Sequence, residues 1–558
     1  MPGTQFFAEE LPRDVLLEPH YVKLGFTPEA FRRYLDDAAQ MLLAESYREA
    51  FEKGGNLIYG EVEPIEGVCE LPAGLPVGLP LFHEHRFSHS VWLGRTGAGK
   101  STHLVNLIIQ DIAAGMGVIV ISPEADFFTR LLRHYPASRA DDLIYLNFRP
   151  VSGPVVGFPV CALEPGESLD MKSQELSVVL SRAMGPKLGV TMKTVFQHAL
   201  YALLQTPGST LTDLYHLLNP VDRAFRARVV RNPALDVNTR EFWPAYEGSS
   251  YYQAAFEPMV NRLAPFFRPP LSMVLSTASW SVGEELNHHS RVVCVDVSHL
   301  RGLAQQVVGQ LAFSQFQQSF FARDYRTDLP RFIPYQVYCD EFARFAGDSE
   351  ESLTELFIGI RKFRVGLNVA LQTTATISPR LRSTIVGNAG VIGCLRVSAE
   401  ESRYLAQELQ LLEQTGARAG HEIPDIERAI ADERARLRHL GTTDSHVLQS
   451  LLGEWHRAHK ARLLDSPASE RSTLRPDLLQ NLERGHLILA GVPGYPGCLS
   501  VRVPAEPAVY TAPFPGIPED LIAHSRCRFG KIPDTSSSPN VPTTDPDDDE
   551  DASFVVTR

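Results

Sequence analysis

Gly94, Gly99, Lys100 and Ser101, within VWLGRTGAGKSTHLVNLI, satisfy the pattern GxxxxGK[ST]. Glycines at this density let main-chain N–H groups turn toward phosphate oxygens. The lysine supplies a mobile charge for the β- and γ-phosphates, and the serine hydroxyl is a hard oxygen ligand for Mg²⁺. The expected nucleotide contacts are Gly94, Thr96, Gly97, Ala98, Gly99, Lys100, Ser101 and Thr102, with ATP and Mg²⁺ as the bound groups. Binding alone is not hydrolysis, which needs an acid for the metal and a base for water. PYQVYCDEF supplies both at the end of an apolar run: Asp340 for Mg²⁺ and Glu341 to polarise the attacking water. Without Lys100 the same pair reads equally as strand-capping acids. Gln372 ends the run in GLNVALQTTATI, where an amide can sense a γ-phosphate or simply cap a strand. Arg361 lies eleven residues earlier, at the end of a helix that follows the acidic pair. An arginine there can reach across a subunit boundary to charge on a transferring phosphoryl group, or be an ordinary surface residue.

The elements that must position these residues are short apolar strands at 89–93, 117–122, 143–148, 291–297, 335–340, 366–372 and 390–397, each followed by loop or helix signals. Runs apolar on both faces that alternate with helices indicate an α/β fold with a mainly parallel sheet. The third and fourth strands are separated by a long stretch of helical period, beginning MKSQELSVVLSRAMGPKLGV, which reads as an all-α insertion. Residues 1–55 read as helices, and GEVEPIEGVCELPAGLPVGLPLF as a short strand with a connector. Residues 400–466 are helical and charge-rich, and strands return in GHLILAGVPG and CLSVRVP. The expected domains are a helical and connector region at 1–84, an ATPase core at 85–162 and 290–400, an all-α insertion at 163–289, a C-terminal helical segment with return strands at 401–530, and an acidic tail at 531–558. The Pro-rich polar composition of that tail predicts disorder.

Composition bounds the class. The 558-residue chain carries a net charge of −13. After Lys531 the tail holds Asp534, Asp545, Asp547, Asp548, Asp549, Glu550 and Asp551 against Arg558, nearly half of that excess. The mildly acidic remainder does not advertise nucleic-acid binding, although a pore can be locally basic. Seven cysteines, none in a CxxC pair, predict buried reduced thiols in a cytoplasmic protein. The opening MPGTQFFAEELPRD carries acids where a secretory leader needs basic and apolar runs, and no stretch reaches membrane-spanning length.

The ordered set HSVWLGRTGAGKST, GVIVISPEADF, VVCVDVSHL, VYCDEFARF, RKFRVGLNVALQTTATI and VGNAGVIGCLRVSAEES resembles the HerA/FtsK superfamily of ring-forming ATPases. It is most similar to the TraD/TraG-like coupling-protein branch of conjugative type IV secretion. The resemblance spans residues 85–410, with weaker echoes in NLERGHLILAG and SRCRFG. It implies a RecA-like P-loop core in a homohexameric ring, ATP between subunits, and DNA through a central channel. Carried over by position, Lys100 and Ser101 are the phosphate-loop pair, Asp340 and Glu341 the second acidic motif, Gln372 the sensor and Arg361 the arginine acting in trans. The implied activity is ATP hydrolysis coupled to DNA translocation. Secretion-channel and relaxosome proteins are the implied partners, and membrane contact, at the inner face, runs only through them. A HerA-like helicase or translocase working with a nuclease in repair or defence, and a protein-secretion ATPase, are the alternatives. Candidate channel loops carry Arg344 and Phe345, and Phe127, Phe128 and Arg130; DRAFRARVVR adds basic residues in the insertion. The chain departs from the pattern at Ser122, where an aspartate is common, and shows neither membrane helices nor a HerA-type β-barrel ahead of the core.

Overall fold

The computed structural model describes residues 56–62, 76–81, 87–149, 152–158, 160–163, 167–184, 189–323, 332–346, 350–417, 476–491, 498–503 and 512–533. The helices expected before residue 56, the charge-rich stretch 418–475 and the acidic tail after residue 533 lie outside the described residues.

Eleven strands form one sheet: β1 (Asn56–Val62), β2 (Pro76–Leu81), β3 (Ser90–Leu93), β4 (Gly117–Ser122), β5 (Leu143–Asn147), β6 (Val292–Asp296), β7 (Tyr335–Cys339), β8 (Val365–Leu371), β9 (Val391–Cys394), β10 (His486–Ala490) and β11 (Leu499–Arg502), in the order β2-β1-β11-β10-β9-β3-β8-β7-β4-β6-β5. The pairs β9/β3, β3/β8, β8/β7, β7/β4 and β4/β6 are parallel. The pairs β9/β10, β10/β11, β11/β1 and β1/β2 are antiparallel. Every residue of β3, β4, β6, β7, β8 and β9 is buried, which is why these strands read as unbroken apolar runs rather than alternating ones.

The chain divides into two compact units. The first comprises the chain up to Ile144 with Leu286–Ser298 and Asp324–His524. It holds most of the sheet and five helices used below: α1 (Lys100–Ala113), α2 (Ala125–Arg133), α3 (Glu350–Gly359), α4 (Pro379–Asn388) and α5 (Ala399–Ala417). Local chemistry sets their ends. Helix α4 starts where Ser378 Oγ accepts from Leu381 N at 3.2 Å and Pro379 fills the first turn. Helix α1 is buried along most of its length, and Tyr338 in β7 donates to Asp111 Oδ2 at 2.6 Å, tying it to the sheet.

The second unit comprises Tyr145–Glu285, His299–Arg323 and the chain from Ser525. Between residues 163 and 289 its described residues form helices, the longest being Leu169–Met184 and Val190–Leu204. Arg226, 1% exposed, organises part of it: its guanidinium donates to Glu247 Oε1 at 2.9 Å and to the carbonyls of Leu217, Asn219 and Pro220. Helix Gly302–Phe321 packs on Leu169–Met184, where Glu175 accepts from Ser314 and Gln318. Cys161, Cys294, Cys339, Cys394 and Cys498 are buried thiols and Cys527 is exposed. Among the described residues no helix is long and apolar enough to cross a membrane.

Candidate nucleotide site

Strand register builds the site. Leu93 pairs with Leu371, Cys339 with Val369, and Ile121 with Cys339. Gly94, Gln372 and Asp340, which follow their strands, and Ser122, which ends β4, therefore emerge in a row along one edge. Neighbouring strands lie about 4.8 Å apart, so side chains from adjacent strand ends reach one bound phosphate chain.

The phosphate loop is held on both sides. Gly94 N donates to Leu371 O at 3.1 Å and Arg95 N to Arg396 O at 2.7 Å. Gly97 and Gly99 have φ of 79° and 107°, values that penalise any side chain. A Cβ on Gly94 would stand 3.0 Å from Leu395 Cβ, so a side chain there requires Leu395 to give way. Helix α1 begins at Lys100 with no acid in its first turn, leaving its N-terminal N–H groups and partial positive charge for an anion.

The acids meet that loop. Lys100 Nζ donates to Glu341 Oε1 at 2.9 Å, with the two side chains 4% and 9% exposed. Gln372 Nε2 donates to the same oxygen at 2.8 Å. Asp340 Oδ2 accepts from Ser101 Oγ at 3.5 Å and from Ser122 Oγ at 3.4 Å. Burial is the main reason that the Asp340 carboxyl is pushed up to about 6; Lys100 pulls it down, while Glu341 and Glu124 push it up. Glu341 has φ 53°, a left-handed backbone that costs a non-glycine residue roughly 1–3 kcal/mol. Phe342 N to Ala370 O at 2.9 Å and Arg344 N to Glu341 O at 2.9 Å hold the turn that aims its carboxylate at Lys100.

Lys100, Ser101, Asp340, Glu341 and Gln372 are thus brought together. Thr102 borders them, but its hydroxyl accepts from Arg130 Nη1 of α2 at 3.0 Å. Thr96 is exposed and Ala98 buried. Arg361 stands apart, exposed in the single turn Ile360–Phe363 after α3, with no side-chain hydrogen bond to the cluster among the described residues. Of the candidate channel residues, Phe127, Phe128 and Phe345 are buried packing residues, so they are not open to a polymer. Arg344 is exposed, whereas Arg130 is also paired with Asp126 at 2.5 Å. In the insertion Arg223, Arg228 and Arg231 are exposed and Arg226 is internal.

Ser122, noted in the sequence only as a departure from the family pattern, ends β4 and donates to Asp340. Two further neighbours of the site escaped sequence reasoning. The Arg484–Gly485 turn lies on the phosphate loop through Gly485 N to Ala98 O at 3.1 Å; only a glycine before a strand marked it. Glu401 accepts from Thr373 Oγ1 at 2.7 Å and Thr374 N at 2.9 Å, next to Gln372.

No protein-family profile and no curated protein matches the chain. Solved structures do. The bacterial conjugative coupling protein TrwBdeltaN70, in its unbound monoclinic form, aligns over 85% of this chain and 93% of its own, at 13% identity and TM-score 0.50. The chain has the fold of this coupling protein. TrwB in complex with ADP and Mg²⁺ aligns over 82% of this chain and 96% of its own, at 12% identity and TM-score 0.49. VirB4 of Thermoanaerobacter pseudethanolicus aligns over 81% and 97%, at 14% identity and TM-score 0.46.

Proposed function

We propose that the chain is an ATP-driven DNA translocase that serves as a conjugative coupling protein. The observation that carries this reading is the convergence of Lys100 Nζ and Gln372 Nε2, at 2.9 and 2.8 Å, on the single oxygen Glu341 Oε1. A carboxylate held between a phosphate-binding ammonium and a strand-end amide is placed to activate water beside a γ-phosphate. A γ-phosphate at Lys100 competes with Glu341 for the ammonium and frees the carboxylate to accept a proton from water. Gln372, already bonded to Glu341, then orients that water. Ser101 and Asp340 offer a hydroxyl and a carboxylate oxygen 3.5 Å apart, a hard-oxygen set that suits Mg²⁺ shared with substrate phosphates. When bound, Mg²⁺ would draw charge off the β- and γ-phosphate oxygens.

The polymer reading draws on the fold shared with a bacterial conjugative coupling protein and on the order of the motifs. In this reading the core at 85–162 and 290–400 forms a homohexamer, with 163–289 as an all-α domain and 401–530 completing the subunit. Arg361 acts on the neighbour's nucleotide, and exposed arginines such as Arg344 meet the DNA backbone in the channel. Secretion-channel and relaxosome proteins are its partners, and it works in the cytoplasm at the inner face of the membrane through them.

ATP turnover measured with and without DNA, on the natural chain and Glu341→Gln, tests this. DNA-stimulated turnover that Glu341→Gln abolishes is the expected result. Turnover indifferent to DNA would sink the DNA reading in favour of protein export. Unchanged turnover in Glu341→Gln would remove the assigned base. A gene for a nuclease beside this one, rather than for a relaxase or channel, would favour the HerA-like alternative.

A further inference from the structure

SAEES, residues 398–402, reads as a helix start with a capping box, in which serine caps and the glutamate three residues on reaches back to the cap's N–H. Half of that box forms: α5 begins at Ala399, and Ser398 Oγ accepts from Glu401 N at 3.3 Å. The glutamate turns away. Both bonds to its carboxylate fall on Oε2, from Thr373 Oγ1 at 2.7 Å and from Thr374 N at 2.9 Å, while Oε1 has no hydrogen-bond partner. Glu401 is 2% exposed, so its charge is committed to these two donors. Thr373 and Thr374 directly follow Gln372, whose amide contacts Glu341. One chain of contacts therefore runs from the hydrolytic carboxylate through Gln372 and its turn to the first turn of α5. Helix α5 is itself anchored: Ser402 Oγ accepts from Gln480 Nε2 at 3.0 Å, and the Arg382 guanidinium lies 4.6 Å from the Tyr404 ring centroid.

We infer that Glu401 is a positioning residue for hydrolysis, which fixes the turn after Gln372 to the anchored first turn of α5 so that the amide meets Glu341. The inference rests on the reading of Glu341 and Gln372 as the hydrolytic pair. A charged acceptor holding two donors out of water is a stiff restraint. Water orientation is sensitive to small displacements of the group that holds it.

The test compares kcat and KM for ATP, affinity for a non-hydrolysable ATP analogue, and the thermal midpoint across Gln372→Ala, Glu401→Ala, Glu401→Gln, Thr373→Val and the double variant Glu401→Ala/Gln372→Ala. Glu401→Ala is expected to lower kcat about 10-fold while analogue affinity stays unchanged. Glu401→Gln is expected to restore most of kcat, because one amide oxygen can accept both bonds. The double variant is expected to turn over no more slowly than Gln372→Ala alone. Multiplicative losses in the double variant, or natural kcat in Glu401→Ala, would overturn the inference. Should Glu401→Ala fail to fold, Thr373→Val carries the same comparison with Gln372→Ala. Natural kcat in Gln372→Ala would fell the hydrolytic reading, and the role of Glu401 with it. A slow Gln372→Ala beside natural Glu401→Ala and Thr373→Val would fell only the role of Glu401.

Discussion

Glu341 joins a left-handed backbone to a buried ion pair with Lys100, two features that each cost free energy unless the site repays them in function. Glu341→Gln keeps the shape and the bond from Gln372 but removes the proposed base. Turnover is therefore expected to fall by roughly 100-fold or more while nucleotide binding survives, as read by single-turnover kinetics and analogue binding. His89 makes a second residue-scale prediction. Its Nδ1 accepts from Leu367 N at 3.1 Å, so Nε2 carries the proton and donates to Phe357 O at 3.0 Å. Burial pushes its pKa from 6.5 down to about 4; the bond to Phe357 opposes this and the charge on Arg361 adds to it. A folded value below the unfolded one means that this stability is fully present above pH 6.5 and is lost as pH falls toward 4, at most ~3 kcal/mol. His89→Gln is expected to be less stable at pH 8 and to lose less between pH 6.5 and 4, as measured by denaturant unfolding at each pH.

Elements explain which residues were legible. Strands β3, β4, β6, β7 and β8 announced themselves because burial on both faces leaves no alternation to confuse. Their shared register carries Lys100, Asp340, Glu341 and Gln372 to one edge, so the motif residues were readable once the strands were. The antiparallel extension through β1 and β2 was legible only in part. Its strands sit in Gly/Pro-punctuated sequence, and their partner β11 lies far along the chain. Glu401 was hidden for a different reason: a capping-box spacing has a sufficient local meaning, and only the fold shows the side chain spent elsewhere. Phe127, Phe128 and Phe345 were read as channel-loop residues, but the first two lie on α2 and the third on the helix Ala343–Ala346, where all three pack inward; an aromatic just after a strand end has the same local sequence in either case. Between elements, the Tyr338 hydroxyl on Asp111 joins β7 to the helix of the phosphate loop. Tyr338→Phe is expected to cost about 1–3 kcal/mol by denaturant unfolding, because Asp111 loses a buried donor.

For the whole molecule, the proposed ring assigns the exposed Arg361, which stands apart from the cluster, to a neighbouring subunit's nucleotide. Arg361→Ala and Lys100→Ala should each be inactive alone. Mixed in one oligomer, they should recover ATP turnover, since some interfaces then pair an intact loop with an intact arginine. No recovery at any mixing ratio would place the arginine's role within one subunit. The claim that turnover moves DNA is tested most directly by displacement, with the chain run along single- and double-stranded tracks toward a bound streptavidin or a third strand. Displacement by the natural chain that requires ATP and vanishes in Glu341→Gln is the predicted result. ATP turnover that displaces nothing from either track, or displacement that persists in Glu341→Gln, would contradict it.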